Sequence, residues 1–305
     1  MLRPLIVTAL ATQTLMPAAA HAPRRAAHTA LSRVLFHAPA RLTLETYVAD
    51  SLSFDVASTL IIGPTEVVLF DAQNHMSDGR RVAERIAATG KKLKAIFISH
   101  PDEDHFFGAQ AVLERFPGTP VYMAPGGLKE FARTGAEMLS SRKPRYGNEA
   151  PDSLIHVQPV PAAGLTIDGE HLQVIADLQG DVLAPCNSAL WIPSLRAVLA
   201  GDIVFNGVHP YLAASTEASR NAWHKSLDSL AALKPAIVVA GHKRAADAPD
   251  TPASLAFMRG YLTDFEAARK SSATPMAMVA AIRAKYADLT MPILLQVSAQ
   301  MTFGK

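Results

Sequence analysis

The sequence predicts a layered α/β fold, and three observations carry that expectation. From residue 58 to residue 123, short apolar β-branched runs alternate with helical patterns, the order from which layered α/β folds are built. One apolar run, Ala95–Ile98, opens directly into Ser99-His100-Pro101-Asp102-Glu103-Asp104-His105, a loop crowded with residues that ligate metals or move protons. Two later apolar runs end in a similar way, at Ala200-Gly201-Asp202 and Ala240-Gly241-His242. A strand end is rigid while the loop beyond it is open, so side chains there are held fixed and still reach a ligand.

The elements follow in order. Residues 1–22 read as a signal peptide: Arg3, an apolar core from Leu5 to Leu15, and Ala20-His21-Ala22 matching the small-residue cleavage rule. Residues 23–39, rich in Pro, Arg, Ala and His, show no period and read as a flexible leader. Strand-like runs at Leu42–Ala49 and Ser58–Ile62 precede Glu66–Phe70, which follows a Gly63-Pro64-Thr65 turn. From Ser77 the period becomes helical: Val82, Ile86 and Ala87 share a face, Ser77 or Asp78 serves as cap, and Gly90 ends the pattern. The strand Leu93–Ile98 then leads into the acidic loop.

A helix is expected over Phe107–Phe116, stopped by Pro117-Gly118, then a strand at Val121–Met123 and a helix over residues 125–140. Ser141–Pro151 reads as a polar loop bordering the site. Asp168-Gly169 between alternating residues is a hairpin signal, and Pro193-Ser194-Leu195 joins two further strands, Ala189–Ile192 and Ala197–Ala200. Thr216–Leu233 is helical with Trp223, Leu227, Leu230 and Leu233 inward, and Pro235 prevents its extension into the strand Ile237–Ala240. Residues 251–287 give two more helices, and the tail from Asp288 has no assignable pattern.

Composition narrows the function classes. Of the 305 residues 49% are hydrophobic, enough for one sizeable core or two small ones. The formal net charge of +2 becomes +1 once Arg3 is removed with residues 1–22, which gives no field for a polyanion, so no nucleic-acid partner is expected. Beyond the leader no run approaches the roughly 18 apolar residues that a bilayer demands, so no membrane partner is expected after cleavage and the protein reads as periplasmic or secreted. The single Cys186 forms no internal disulfide and reads as a small buried thiol, with a soft metal ligand as the alternative.

The loop His100-Pro101-Asp102-Glu103-Asp104-His105 resembles the His-x-His-x-Asp-His motif of the metallo-β-lactamase superfamily, with Asp102 where a histidine usually stands. Gly180-Asp181, Gly201-Asp202 and Gly241-His242 follow in the family's order at strand ends, and Asp71 resembles its structural aspartate. The resemblance runs from about Thr59 to His242. It implies an αββα sandwich over residues 40–250, with residues 251–305 as a helical extension packed on the same domain. It also implies two metal sites: His100, Asp102 and Asp181 in one, Asp104, His105 and His242 in the other, with Asp202 bridging and Asp104 also acting in catalysis. One or two divalent ions are implied, zinc first and Mn²⁺ or Fe²⁺ as alternatives. The four aspartates carry −4 against +4 from two ions, which favours oxygen-loving metals more than an all-imidazole site does.

Two such ions share a hydroxide and polarise the bond it attacks. The function implied is therefore an exported hydrolase of a small ester or lactone, a small-molecule substrate. β-Lactam or thioester hydrolysis is the alternative within the enzyme class, and a degenerate, non-catalytic metal-binding or sensor protein is the alternative outside it. His209 and Tyr211, a few residues beyond Asp202, are the candidates for touching substrate. His75, His156, His171 and His224 have no motif around them, and Trp191 and Trp223 read as core.

Overall fold

The computed structural model describes residues 42–304, so the signal-peptide and leader expectations lie outside the described residues. In chain order the strands are β1 Thr43–Val48, β2 Ala57–Ile62, β3 Glu66–Phe70, β4 Lys92–Ile98, β5 Val121–Met123, β6 Val157–Pro159, β7 Leu165–Ile167, β8 Glu170–Leu178, β9 Asn187–Ile192, β10 Ala197–Leu199, β11 Phe205–Asn206, β12 Ile237–Val239 and β13 His242–Lys243. The helices are α1 Met76–Ala88, α2 Glu103–Phe106, α3 Ala109–Arg115, α4 Pro125–Tyr146, α5 Glu217–Ala232, α6 Ala253–Ser271, α7 Pro275–Lys285 and α8 Pro292–Phe303.

Strands β1 to β6 form one sheet in sequence order, and a second sheet runs β12-β10-β9-β8-β7. Side chains alternate across a strand, and here each strand divides its apolar residues between two packing layers. Leu60, Val67, Leu69, Ile96 and Ile98 enter the core shared with α1, α3 and α4. Their neighbours Ile61, Val68, Phe70 and Phe97 face the other way, against Leu190, Ile192, Ala197, Leu199 and Val239 of the second sheet. On that sheet's far side, Ala189, Val198 and Val238 pack with Trp223 and Leu227 of α5, Tyr261 and Phe265 of α6, Ile282 of α7 and Leu295 of α8. The result is the expected αββα sandwich with C-terminal helices. Strands buried on both faces explain the unbroken apolar runs of the sequence.

Local chemistry accounts for the turns. Asp168 and Gly169 have φ of 46° and 84°, the pair of positive values that a tight hairpin demands, and they join β7 to β8. Thr216 caps α5 in a reciprocal pair with Ser219. Among the described residues no helix is long and apolar enough to cross a membrane.

The cap expected at Ser77 or Asp78 falls instead at His75, one residue before α1 begins, and two segments change character. Ser141–Pro151 is not a loop: α4 continues to Tyr146 with Pro144 inside it, followed by a short 3-10 turn. Proline removes only one backbone donor so near a helix end, and Met138, Leu139 and Tyr146 pack on the first-sheet core, which holds the last turns helical. The tail from Asp288 is also ordered, forming α8 after Met291 in the left-handed region.

Candidate metal centre

The centre lies where strand ends of both sheets meet. Three backbone contacts fix the loop after β4 against the loop after β3: Asp71 N to Phe97 O at 2.9 Å, Ala72 N to His105 O at 2.7 Å and Gly108 N to Gln73 O at 2.8 Å. The remaining strand ends are joined by Gly241 N, 3.0 Å from both Gly201 O and Val204 O. A Cβ on Gly241 would sit 2.2 Å from Asp202 Oδ1, so only glycine lets these two turns approach.

All seven residues expected as ligands converge. His100, Asp102 and Asp181 place one ligand atom each within 4.8 Å of one another; so do Asp104, His105 and His242, and so do His100, His105 and Asp202. His100 Nε2 is 4.0 Å from Asp102 Oδ2 and 3.7 Å from Asp181 Oδ1. Asp202 reaches both remaining histidines, with Oδ1 3.1 Å from His105 Nε2 and Oδ2 3.1 Å from His242 Nε2. Asp104 Oδ2 lies 3.3 Å from His242 Nε2.

The fit of these residues to cations rests on the outward side of each imidazole. His242 Nδ1 is 2.7 Å from the carbonyl oxygen of Phe54, an atom that only accepts, so Nδ1 carries the proton. His105 Nδ1 is 2.8 Å from Asp71 Oδ2 and donates to that carboxylate. Ser99 Oγ gives its one proton to Asp71 Oδ2 at 2.9 Å and therefore accepts from His100 Nδ1 at 2.9 Å. Each ring thus points Nε2 inward, where loss of a proton to a bound cation would free a lone pair, the arrangement seen when a carboxylate or carbonyl orients a metal-binding imidazole. Inside the cluster His100 Nε2, His105 Nε2 and Asp202 Oδ1 are buried without a hydrogen-bond partner. The short His105–Asp202 approach is thus a contact without hydrogen-bond alignment, and a divalent cation satisfies all three atoms at once.

The electrostatics agree. Burial pushes the carboxyls of Asp102 and Asp181 well above the usual range; Glu103 and Asp104 add repulsion at Asp102, and Asp202 and Asp102 add it at Asp181. Burial opposes charge on His105 and His242, but the surrounding carboxylates, Asp202 foremost, outweigh it and hold both rings well above the ordinary imidazole value. His100 lies further from such relief, and burial takes it down to about 3. Stacked acids that repel one another, beside rings that take up protons in compensation, form a pocket that a cation neutralises.

A cavity of about 420 Å³ opens beside the cluster, lined by Asp102, Asp104, Asp181, Asp202 and His242 among others. Tyr211 lines it. His209 does not: it is 1% exposed, its Nδ1 lies 2.9 Å from Tyr261 Oη, and its backbone N–H is tied to Thr290 O at 3.0 Å. The segment after α7 thus turns this side chain toward α6 rather than toward a substrate. Cys186 is buried, with its thiol pushed up to about 12 by that burial and by Asp181, and it joins none of the ligand groups.

Several contributors were not legible in the sequence. The Phe54 carbonyl orients His242 across 188 positions, and no pattern in the chain signals it. Asn187 Nδ2 stands 3.5 Å from Asp181 Oδ1. Arg142 of α4 pairs with Glu103 and lines the cavity with Arg145 and Tyr146, so a helix replaces the expected bordering loop. Ile293, Leu294 and Val297 of α8 complete the lining.

Known proteins place the chain. A metallo-beta-lactamase family protein from Thermus thermophilus is 18% identical, with a TM-score of 0.61 over 85% of this chain and 91% of its own. A metallo-beta-lactamase from Pontibacter korlensis is 18% identical, with a TM-score of 0.53 over 73% of this chain and 99% of its own. The DIM-1 metallo-beta-lactamase, in a structure exposed to ceftazidime, is 16% identical, with a TM-score of 0.54 over 73% of this chain and 96% of its own. At these identities the likeness is one of fold. No curated protein matches the chain. The family model described as the metallo-beta-lactamase superfamily matches residues 53–242, most of the chain and all seven converging residues, and the chain belongs to that superfamily.

Proposed function

We propose that this protein is an exported metal-dependent hydrolase of small esters or lactones. The observation that supports it most is the set of inward, unpartnered Nε2 and Oδ1 atoms of His100, His105 and Asp202, buried at the edge of a cavity. His100, Asp102 and Asp181 would hold one ion and Asp104, His105 and His242 a second, with Asp202 between them. Held there, divalent ions would supply acidified water and polarisation of the scissile bond.

The chain's own groups then have separate tasks. Asp71, Ser99 and the Phe54 carbonyl keep the three rings in one tautomer, so no reorientation is needed when a substrate arrives. Asp104 faces the cavity and, kept ionised against burial by His105 and His242, is the carboxylate we assign to take up a proton transiently during cleavage. The Tyr211 hydroxyl, pushed up to about 12 by burial and then by Asp102 and Asp181, keeps its proton at neutral pH and can donate it to an oxyanion. Export rests on the pattern of residues 1–22 alone.

The test is turnover of an ester, lactone, thioester and β-lactam panel by purified protein, before and after chelation, alongside elemental analysis. Ester or lactone turnover lost on chelation and restored by a divalent ion is the expected result. Stoichiometric metal with no turnover of any member would favour the non-catalytic reading.

A further inference from the structure

Helix α8, with the sequence PILLQVSAQMTF, has no charged residue on any face. Leu295 and Ala299 are fully buried and Leu294 nearly so, all three against the second-sheet core, while Ile293, Val297 and Met301 are 50%, 38% and 47% exposed. A surface helix ordinarily turns charged side chains outward. Here the exposed side is uncharged: Ile293, Val297 and Met301 recur every fourth residue, with Gln296 and Gln300 beside them.

That row is continuous with the candidate centre. Ile293, Leu294 and Val297 line the same cavity as Asp102, Asp104, Asp202 and His242, with Phe54 and Met138 adding apolar surface. Met301 extends the row one turn further along the helix. A molecule reacting at the carboxylate cluster therefore has its adjoining atoms in a space walled by α8. The cavity, about 420 Å³, is within the range that encloses a small ligand and too confined for a folded partner. Glu103 already neutralises Arg142 in the lining, which leaves that guanidinium committed within the protein.

We propose that Ile293 and Val297 of α8, extended along the helix by Met301, form the binding wall for an apolar acyl chain, so that the substrate class is medium-chain acyl esters. The inference deepens the hydrolase reading and rests on it for the reaction: water adds across the acyl carbon–oxygen bond, releasing a carboxylate and an alcohol. The chain-binding wall itself is independent of turnover.

The test uses the full chain with its bound metal. p-Nitrophenyl acetate, butanoate and octanoate are compared by kcat/KM, and butanoate and octanoate are compared by calorimetric binding, for wild type and for the Ile293→Ser, Val297→Ser double variant. Both sites are exposed, so the variant is expected to fold, and its melting temperature checks this. Octanoyl turnover should exceed acetyl turnover by at least about tenfold, octanoate should bind at least about tenfold tighter than butanoate, and the variant should lower both ratios at least about fivefold. Equal binding of the two carboxylates, or a preference that survives the double substitution, would overturn the wall. Chain-length-dependent binding without hydrolysis of any ester would keep the wall and overturn the hydrolase reading. Hydrolysis with a flat chain-length series and equal binding would do the reverse. A dimer that the double substitution converts to monomer, with no chain-length preference, would assign the row to a second copy and overturn the proposal.

Discussion

Asp71 Oδ2 lies 2.8 Å from His105 Nδ1, and both side chains are fully buried. The same carboxylate accepts from Ser99 N at 2.7 Å and Ser99 Oγ at 2.9 Å, so one aspartate orients His105 directly and His100 through the serine. Complete burial pushes this carboxyl upward, and the donors from His105 and Ser99 work against that shift. The left-handed φ of 57° at Asp71 turns its side chain back beneath the loop after β4.

Asp71→Asn should therefore weaken metal binding without moving a ligand. An amide offers a donor where both partners donate, which reverses the tautomer preference of His105 or breaks the link to Ser99. Loss of an outer partner of this kind costs about 10–100-fold in metal affinity. Competition against a chelator of known affinity measures it, and unchanged affinity would remove Asp71 from the support of the centre.

The two ion positions differ in donor type. Asp104, His105 and His242 supply two nitrogens and an oxygen, whereas His100, Asp102 and Asp181 supply one nitrogen and two oxygens. For zinc the first set is the tighter. His242→Ala should accordingly remove more bound metal than Asp102→Ala at matched protein concentration. Equal losses by elemental analysis would count against the ranking.

Asp102→His tests the variant position itself. The substitution adds an imidazole within reach of His100 and removes one of four mutually repelling carboxylates. Retention of Zn²⁺ relative to Mn²⁺ should rise after dialysis against an equal mixture of the two. An unaltered ratio would show that position 102 contributes no ligand.

Gly241→Ala should damage both turns at once. The new methyl would meet Asp202 Oδ1 at 2.2 Å and the Gly201 carbonyl carbon at 2.6 Å, and neither turn has room to recede. Overpacking of this kind costs about 1–3 kcal/mol, and here it displaces the shared ligand as well. Denaturant unfolding and metal content should fall together. A variant with wild-type stability and full metal would contradict the close approach of the two turns.

The export proposal is checked by N-terminal sequencing of protein recovered outside the cytoplasm, where the mature chain should begin near Pro23. Met1 intact on cytoplasmic protein would sink it.

The sequence by itself determined the layered fold, because burial on both faces of a sheet writes continuous apolar runs, and amphipathic helices write a different period between them. It also determined four members of the cluster, His100, Asp102, Asp104 and His105, because one loop carries them all. Asp181, Asp202 and His242 were legible as residues closing strand regions, but only by their order along the chain, since nothing local to each marks it as a partner of the others. Tertiary structure alone decided which nitrogen of His105 and of His242 faces the cluster, because the deciding acceptors, Asp71 and the Phe54 carbonyl, are 34 and 188 positions away from the rings they orient. It also kept Pro144 inside α4, turned His209 toward Tyr261 and brought α8 to the cavity. Periodicity reports which face of an element is apolar. What that face meets depends on packing between elements distant in the chain, and the uncharged α8 shows its second role only where the cavity reaches it.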